Sequence, residues 1–322
     1  AAFDLCALRG GFYLRLARAI DAPAAAAMPA ARPLPRPALA LRPVSLSVTR
    51  IETLRRDPYA IYAELILNLA ELDPLGRAPG FAEFGSAVHA ALETFVKENP
   101  SGPLPERARD ILDALLRTEL ASQLDDPDFA AVQWPRLRRM IDFYLGFETG
   151  RRDHIQKIMT EIAGRHDIML ADGSRFTLRA RADRIELNHD GSVTLVDYKT
   201  GTPPGPDEIL VGFAPQLTLE AAMAARGAFG FTARINQIDG LYLKLGGAEG
   251  GKARPIAFKA GTFADVAERH FAGLVDLLTQ FRDEATPYPP RPFPKFAKKY
   301  NAYDHLARVK EWSQGGAGEG PE

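Results

Sequence analysis

Between Arg179 and Thr200 the chain reads R-A-R-A-D-R-I-E-L, turns at Asn188-His189-Asp190-Gly191, and returns as S-V-T-L-V-D-Y-K-T. The pattern predicts two strands joined by a tight turn, with Asp183 on the first and Asp197 and Lys199 on the second. Side chains alternate faces along a strand, so Asp197 and Lys199 project on the same side as Val193 and Leu195. A carboxylate and an ammonium at the end of an apolar strand are costly to bury without partners. A metal ion and a phosphate would supply both. On the first strand Phe176, Leu178, Ala180 and Ala182 share a face, and after Asp183 the apolar phase flips to Ile185 and Leu187. Such a flip predicts a bulge or strong bend at Asp183, which either re-aims a side chain at a site or simply bends the sheet.

A length of 322 residues allows two domains or one large one, and 46% hydrophobic residues suffice for a core. With a net charge of −1, any anionic partner has to be held by local patches. One cysteine, Cys6, excludes an internal disulfide and a four-cysteine zinc or iron–sulfur site, and fits a reducing, cytoplasmic setting. No apolar run approaches membrane-spanning length, so no membrane partner is expected. The opening Ala1 reads as a piece of a longer polypeptide or a processed form.

Residues 3–20 read as a helix, and the Pro/Ala-rich run 21–43 as a linker, which puts residues 1–45 outside a compact domain spanning 46–312. Residues 313–322 read as a disordered tail. Thr49 and Glu52 have capping-box spacing, and Asp57-Pro58 looks like a second helix start. Helices are predicted near 59–69, 81–97 (containing Gly85 and His89), 106–123 and 135–149. Strands follow at 157–170 and, across an Asp172-Gly173 turn, through the hairpin described above. A helix over 215–226 carries Gln216 and Glu220 one turn apart. Strands near 239–245 and 255–258, then a helix capped by Thr262 and Asp265 and reaching 281, complete an α/β fold with a central mixed sheet flanked by helices.

Asp183, Asp197 and Lys199 match the needs of phosphodiester hydrolysis. Magnesium takes carboxylate oxygens, and a lysine beside it can orient water or hold developing charge. The D…D-Y-K-T arrangement resembles the PD-(D/E)xK nuclease superfamily, more narrowly its RecB-like branch. The G-S-A-V-H run ending at His89 and the P-Q-L-T-L-E run holding Gln216 fall where that branch has a helical histidine and a glutamine. The segments S-V-T-R-I-E-T-L-R-R-D-P-Y and Y-N-A-Y-D-H-L-A-R-V-K-E-W are similar to the C-terminal nuclease domain of the alphaproteobacterial-type AddB family.

The resemblance implies that His89, Asp183, Asp197 and the Tyr198 carbonyl ligate Mg2+, with Mn2+ as an alternative, and that Lys199 positions the water. It gives Gln216 the task of orienting Lys199 or touching DNA, and Glu161 that of an accessory acid. Glu220 stands where many relatives have tyrosine, which leaves its role open. Asp57 stands where a first cluster cysteine would be, so no iron–sulfur cluster is implied. Tail packing through Tyr300, Tyr303, Leu306 and Val309 would take its place. The implied partners are DNA, in single-stranded form by the family's manner of working, and an AddA-type helicase–nuclease subunit in a bacterial cytoplasm. Arg179, Arg181 and Arg184 are candidates for DNA phosphates, as are Lys295, Lys298 and Lys299 in the R-P-F-P-K-F-A-K-K-Y run; a solvated surface explains the same residues. Two other functions fit part of the pattern: an assembly or DNA-clamp module without catalysis, and a phosphoesterase for small molecules.

Overall fold

The computed structural model describes residues 2–22, 30–72, 81–231, 235–298 and 301–314. Helices are α1 (Ala2–Asp21), α2 (Val48–Arg56), α3 (Pro58–Ile61), α4 (Phe81–Glu98), α5 (Ala108–Glu119), α6 (Ala121–Leu124), α7 (Pro127–Thr149), α8 (Pro206–Leu210), α9 (Gln216–Ala225), α10 (Phe263–Arg282) and α11 (Val309–Gln314). Strands are β1 (Ser45–Ser47), β2 (Ile155–Met169), β3 (Arg175–Asn188), β4 (Ser192–Lys199), β5 (Gln237–Leu245) and β6 (Gly251–Pro255). The chain divides into two units, one of residues 34–302 and one of residues 1–33 with 303–322. In the smaller unit Val309 is buried, Leu306 is exposed and Arg32 lies over the Trp312 ring at 5.2 Å. Tyr300 and Lys299 lie outside the described residues.

The larger unit is an α/β layered structure. Its sheet runs β1-β3-β4-β5-β6 among the described residues, with β2 on the other edge of β3. Pairing is mixed: β1–β3 and β4–β5 are parallel, and β2–β3, β3–β4 and β5–β6 antiparallel. One core lies on the side of α2, α9 and α10 and takes Ile51, Leu54, Leu178, Leu195, Leu219 and Leu274. A second core lies on the side of α4, α5 and α7 and takes Leu92, Phe95, Leu112, Ile141, Val196 and Leu243.

The phase flip at Asp183 turns out to be shared by two strands. Ala182 and Ile162 face the first core, and so do Ile185 and Met159, while Ile158 faces the second. Both strands of the β2–β3 pair therefore swap sides together around Glu161 and Asp183. Because the swap is matched, the register is the same on both sides, from Lys157↔Leu187 to Met169↔Arg175; Glu161 and Asp183 drop out of the pairing, but no register shift marks them. The backbone irregularity sits opposite Asp183, at Glu161, whose φ is +48°. A left-handed non-glycine residue costs on the order of 1–3 kcal/mol and is characteristic of functional segments.

Several local expectations change. The first compact helix is capped by Ser47, whose hydroxyl accepts from the Arg50 amide at 3.2 Å; Thr49 lies inside the helix. Asp57 precedes Pro58 as expected, but its carboxylate caps nothing. It accepts instead from the Arg291 amide at 3.3 Å and from the Asn301 side chain, tying the end of this unit to α3. Residues 34–43, read from their prolines as linker, are fastened down. The buried Arg42 guanidinium donates to the carbonyls of Pro37, Phe281, Asp283, Glu284 and Thr286 at 2.8–3.1 Å. Helix α7 starts at Pro127 under an Asp126 cap and carries Pro135 within it, because the cap sets the start more firmly than the proline does. The Thr262–Asp265 capping box forms as read.

Candidate active site

The site forms where β3 stops sharing an edge. The same edge of β3 pairs with β1 at residues 177–179 and with β4 only from Arg184 onward. Beyond that point the Tyr198 amide, which would otherwise continue the ladder, donates to Asp183 Oδ2 at 2.9 Å. The end of β4 is thereby latched to the acid on β3.

Helix α4 brings His89 to the same place. Its Nδ1 lies 3.6 Å from Asp183 Oδ2, and its ring meets the Tyr198 ring edge-on, centroids 5.7 Å apart. Gly85, one turn earlier, lets α4 approach the end of β4: a Cβ there would lie 3.1 Å from Thr200 Oγ1. Gly85→Ala is expected to leave the melting temperature within a few degrees, helix propensity offsetting the crowding, while displacing the segment after Lys199. Melting curves with amide chemical shifts at Lys199 and Thr200 check this; unchanged shifts would mean that Gly85 does not set the approach.

Donor atoms of His89, Glu161 and Asp183 all lie within 4.8 Å of one another. An imidazole nitrogen with two carboxylates is a donor set suited to a divalent cation. Glu161 is fixed from its other side by Arg181, Nε to Oε2 at 2.5 Å. Asp197 adjoins this cluster but is engaged by Lys199, whose ammonium lies 2.8 Å from Oδ1 and 2.7 Å from Oδ2. Only the Oδ1 contact has hydrogen-bond geometry, so the buried Oδ2 lacks an aimed donor, as expected of an oxygen available to a cation.

The electrostatics are those of an unneutralised acid cluster. Burial pushes Asp183 up to about 6, with Glu161 adding to the rise and the Tyr198 amide and Lys199 opposing it. Burial likewise pushes Asp197 up to about 6; Lys199 opposes this and Asp183 reinforces it. Burial lowers His89, favouring the neutral imidazole that a metal needs. Lys199 is depressed by burial but raised further by Asp197, Asp183 and Glu220, so it stays charged.

Glu220 belongs to this site. It is fully buried on α9, and burial followed by Asp197 and Asp183 holds its carboxyl well above the usual range. The amide of Gln216 donates to Glu220 Oε1 at 3.4 Å rather than to Lys199. The apolar-looking helix sequence L-T-L-E-A-A gave no sign that its acid points inward.

The proposed phosphate contacts separate. Arg179 and Arg181 are exposed on β3. Arg184 is not available to DNA: its side chain is fully buried and pairs with Glu148 and Glu186, with Tyr144 and Tyr198 hydroxyls at 3.4 and 3.3 Å. The side swap at Asp183 carries position 184 into the second core, which three alternating arginines in the sequence conceal. Lys295 is exposed near the Phe296 ring, and Lys298 pairs with Glu52 at 3.2 Å.

Among curated proteins the chain is 33% identical over 188 residues to an uncharacterized protein of Rickettsia bellii, covering 58% of this chain and 22% of that protein. An uncharacterized protein of Rickettsia conorii is 31% identical over 190 residues, covering 58% and 23%. The match thus spans less than a quarter of these relatives. A solved structure, that of SSO0001, overlaps at 14% identity with a TM-score of 0.26, covering 68% of this chain and 84% of the other, too loosely to bear on the fold. The PD-(D/E)XK nuclease superfamily matches residues 45–298. That span takes in all the strands named above and the whole run from His89 to Glu220, and by it the chain belongs to the PD-(D/E)XK nuclease superfamily, whose nucleases work with divalent metal ions.

Proposed function

We propose that this chain is a metal-dependent deoxyribonuclease that hydrolyses phosphodiester bonds, with Mg2+ as its cation and Mn2+ able to substitute. Its setting is the processing of broken DNA ends before recombinational repair, as the nuclease domain of an AddB-type subunit beside an AddA-type helicase–nuclease. The observation that carries this reading is the convergence of His89, Glu161 and Asp183 beside the Asp197–Lys199 pair.

A divalent cation, when bound, activates water and neutralises phosphate charge. His89, Asp183 and Glu161 would hold it, with Asp197 and the Tyr198 carbonyl completing the set. Lys199 presents a full positive charge to an anionic phosphate oxygen or to the attacking water, and Asp197 fixes where that ammonium sits. Glu220, whose carboxyl burial holds well above the usual range, opposes an incoming phosphate less than an exposed acid would. Gln216 aligns Glu220.

The test is incubation with a single-stranded oligonucleotide and Mg2+, with and without EDTA. Cutting that EDTA abolishes is expected. An assembly or clamp module would show no metal-dependent cutting, and a small-molecule phosphoesterase would prefer a nucleotide to the polymer. Calorimetric titration with Mn2+ provides a readout independent of turnover, and Asp183→Ala is expected to abolish the binding.

A further inference from the structure

Two adjacent arginines at the end of α2 share one aromatic ring and have opposite circumstances. Arg56 lies 5.6 Å from the Phe213 ring centroid, is buried, and pairs with Glu52 and Glu208. Arg55 lies 5.1 Å from the same ring, and among the described residues no carboxylate pairs with it. Its guanidinium donates to the Val211 carbonyl at 2.9 Å and rests on Gly212, where a Cβ would stand 3.2 Å from Nη1 and φ is +77°. Glycine is thus needed twice over, for the backbone conformation and for the flat approach of the cation. Burial acts on Arg55 without an acid to offset it. A partly desolvated cation held in place and lacking a counter-charge is a site prepared for an anion.

Aromatic surface continues from that cation. Phe213 stacks on Phe296, centroids 4.0 Å apart at 11°, and meets Phe293 edge-on at 5.2 Å. Phe293 is 48% exposed, and the neighbouring Leu210 and Val211 are 42% and 45% exposed. Lys295, exposed and without an acid partner among the described residues, flanks the rings. The segment 211–213 leads within three residues into α9, which carries Gln216 and Glu220. A solvent-exposed ring in an aromatic cluster that carries two cations fits a polymer that alternates flat bases with phosphates, and single strands bind in that way.

We propose that Arg55, Phe293 and Lys295, backed by the buried Phe213, form a docking platform for single-stranded DNA, with a base on Phe293 and phosphates on Arg55 and Lys295. The proposal rests on the nuclease reading above and names how that substrate is gripped outside the reacting centre. It is tested by fluorescence anisotropy with a labelled oligo-dT and the whole chain in EDTA, so that binding is read without cleavage. Phe293→Ala is expected to weaken binding about 10-fold. Arg55→Ala is expected to weaken it about 3- to 10-fold and to reduce the salt slope of log K by about 1. Phe293→Trp should restore binding, which a merely structural role for the ring would not produce, and a melting curve identifies any variant that fails to fold. Folded Phe293→Ala and Arg55→Ala variants that bind with wild-type affinity and salt slope overturn the platform. Binding through these residues without Mg2+-dependent cutting sinks the nuclease reading and leaves the platform standing. Capture of a protein partner by a patch that ignores oligo-dT also overturns it.

Discussion

Asp183→Asn is expected to abolish metal-dependent cleavage and, in the same protein freed of metal, to raise the melting temperature near neutral pH. The loss of cleavage follows from removing a charged donor from the His89–Glu161–Asp183 set. The gain in stability follows from linkage. Burial raises the Asp183 carboxyl from 3.8 to about 6, so the folded chain binds that proton more tightly than the unfolded chain does. The stability associated with a raised pKa is full below the unfolded value and is lost as pH rises through the folded one. Above about pH 6 the ionised carboxylate therefore burdens the fold, by on the order of 1–3 kcal/mol. Asparagine removes the charge and keeps an oxygen for the Tyr198 amide. Calorimetry in EDTA should show a rise of several degrees at about pH 7.5 that vanishes near pH 4. Divalent ions should stabilise the wild type, by about 2.7 kcal/mol at a hundred times the Kd, and leave the variant unmoved. Equal melting temperatures at pH 7.5 would show that this acid carries no such burden.

The second large effect lies behind the site. Arg184→Ala is expected to cost about 3–5 kcal/mol of folding stability, because it strands carboxylates that are completely buried. Burial alone would raise Glu148; Arg184 and Arg152 outweigh it and hold that carboxyl below its ordinary range. Glu148 therefore contributes stability above its unfolded pKa and loses it as pH falls through the folded one, so the wild type should weaken in acid. Arg184 also reaches the Tyr198 hydroxyl, so damage there should spread to the latch on Asp183. Urea unfolding measures the cost. A small change in midpoint would mean that Arg151, Arg152 and water make up the charge. Joint replacement of Arg184, Glu148, Glu186 and the buried Arg152 that Glu148 also holds by apolar residues should recover much of the loss, since such groups are expensive mainly when separated.

The sequence makes the candidate-site hairpin readable because it is local. Asp183, Asp197 and Lys199 sit on two strands joined by one turn, and alternation alone puts the last two on one side. The Thr262–Asp265 cap is readable for the same reason: four residues contain all of it. What stays hidden depends on partners far away in the chain. Arg184 resembles Arg179 and Arg181 until the side swap is seen, and its partner Glu148 comes from α7. Glu220 looks like a surface acid on a short helix and is fully buried. Glu161 is legible as an acid near the hairpin, but its closeness to His89 depends on a left-handed turn within a strand, for which its residue type gives no signal. Asp57 shows the limit of a local motif. Its place before proline is right for a cap, and a distant asparagine takes the carboxylate.

The amide at residue 198 has further reach. Since it is spent on an acid rather than on β3, while β5 holds the other edge of β4 through Lys199, loosening on the β3 side and release of the Asp183 carboxylate go together. Breathing of the sheet's open end would then act as a gate on chemistry, and hydrogen exchange at that one position would report how often the gate stands ajar.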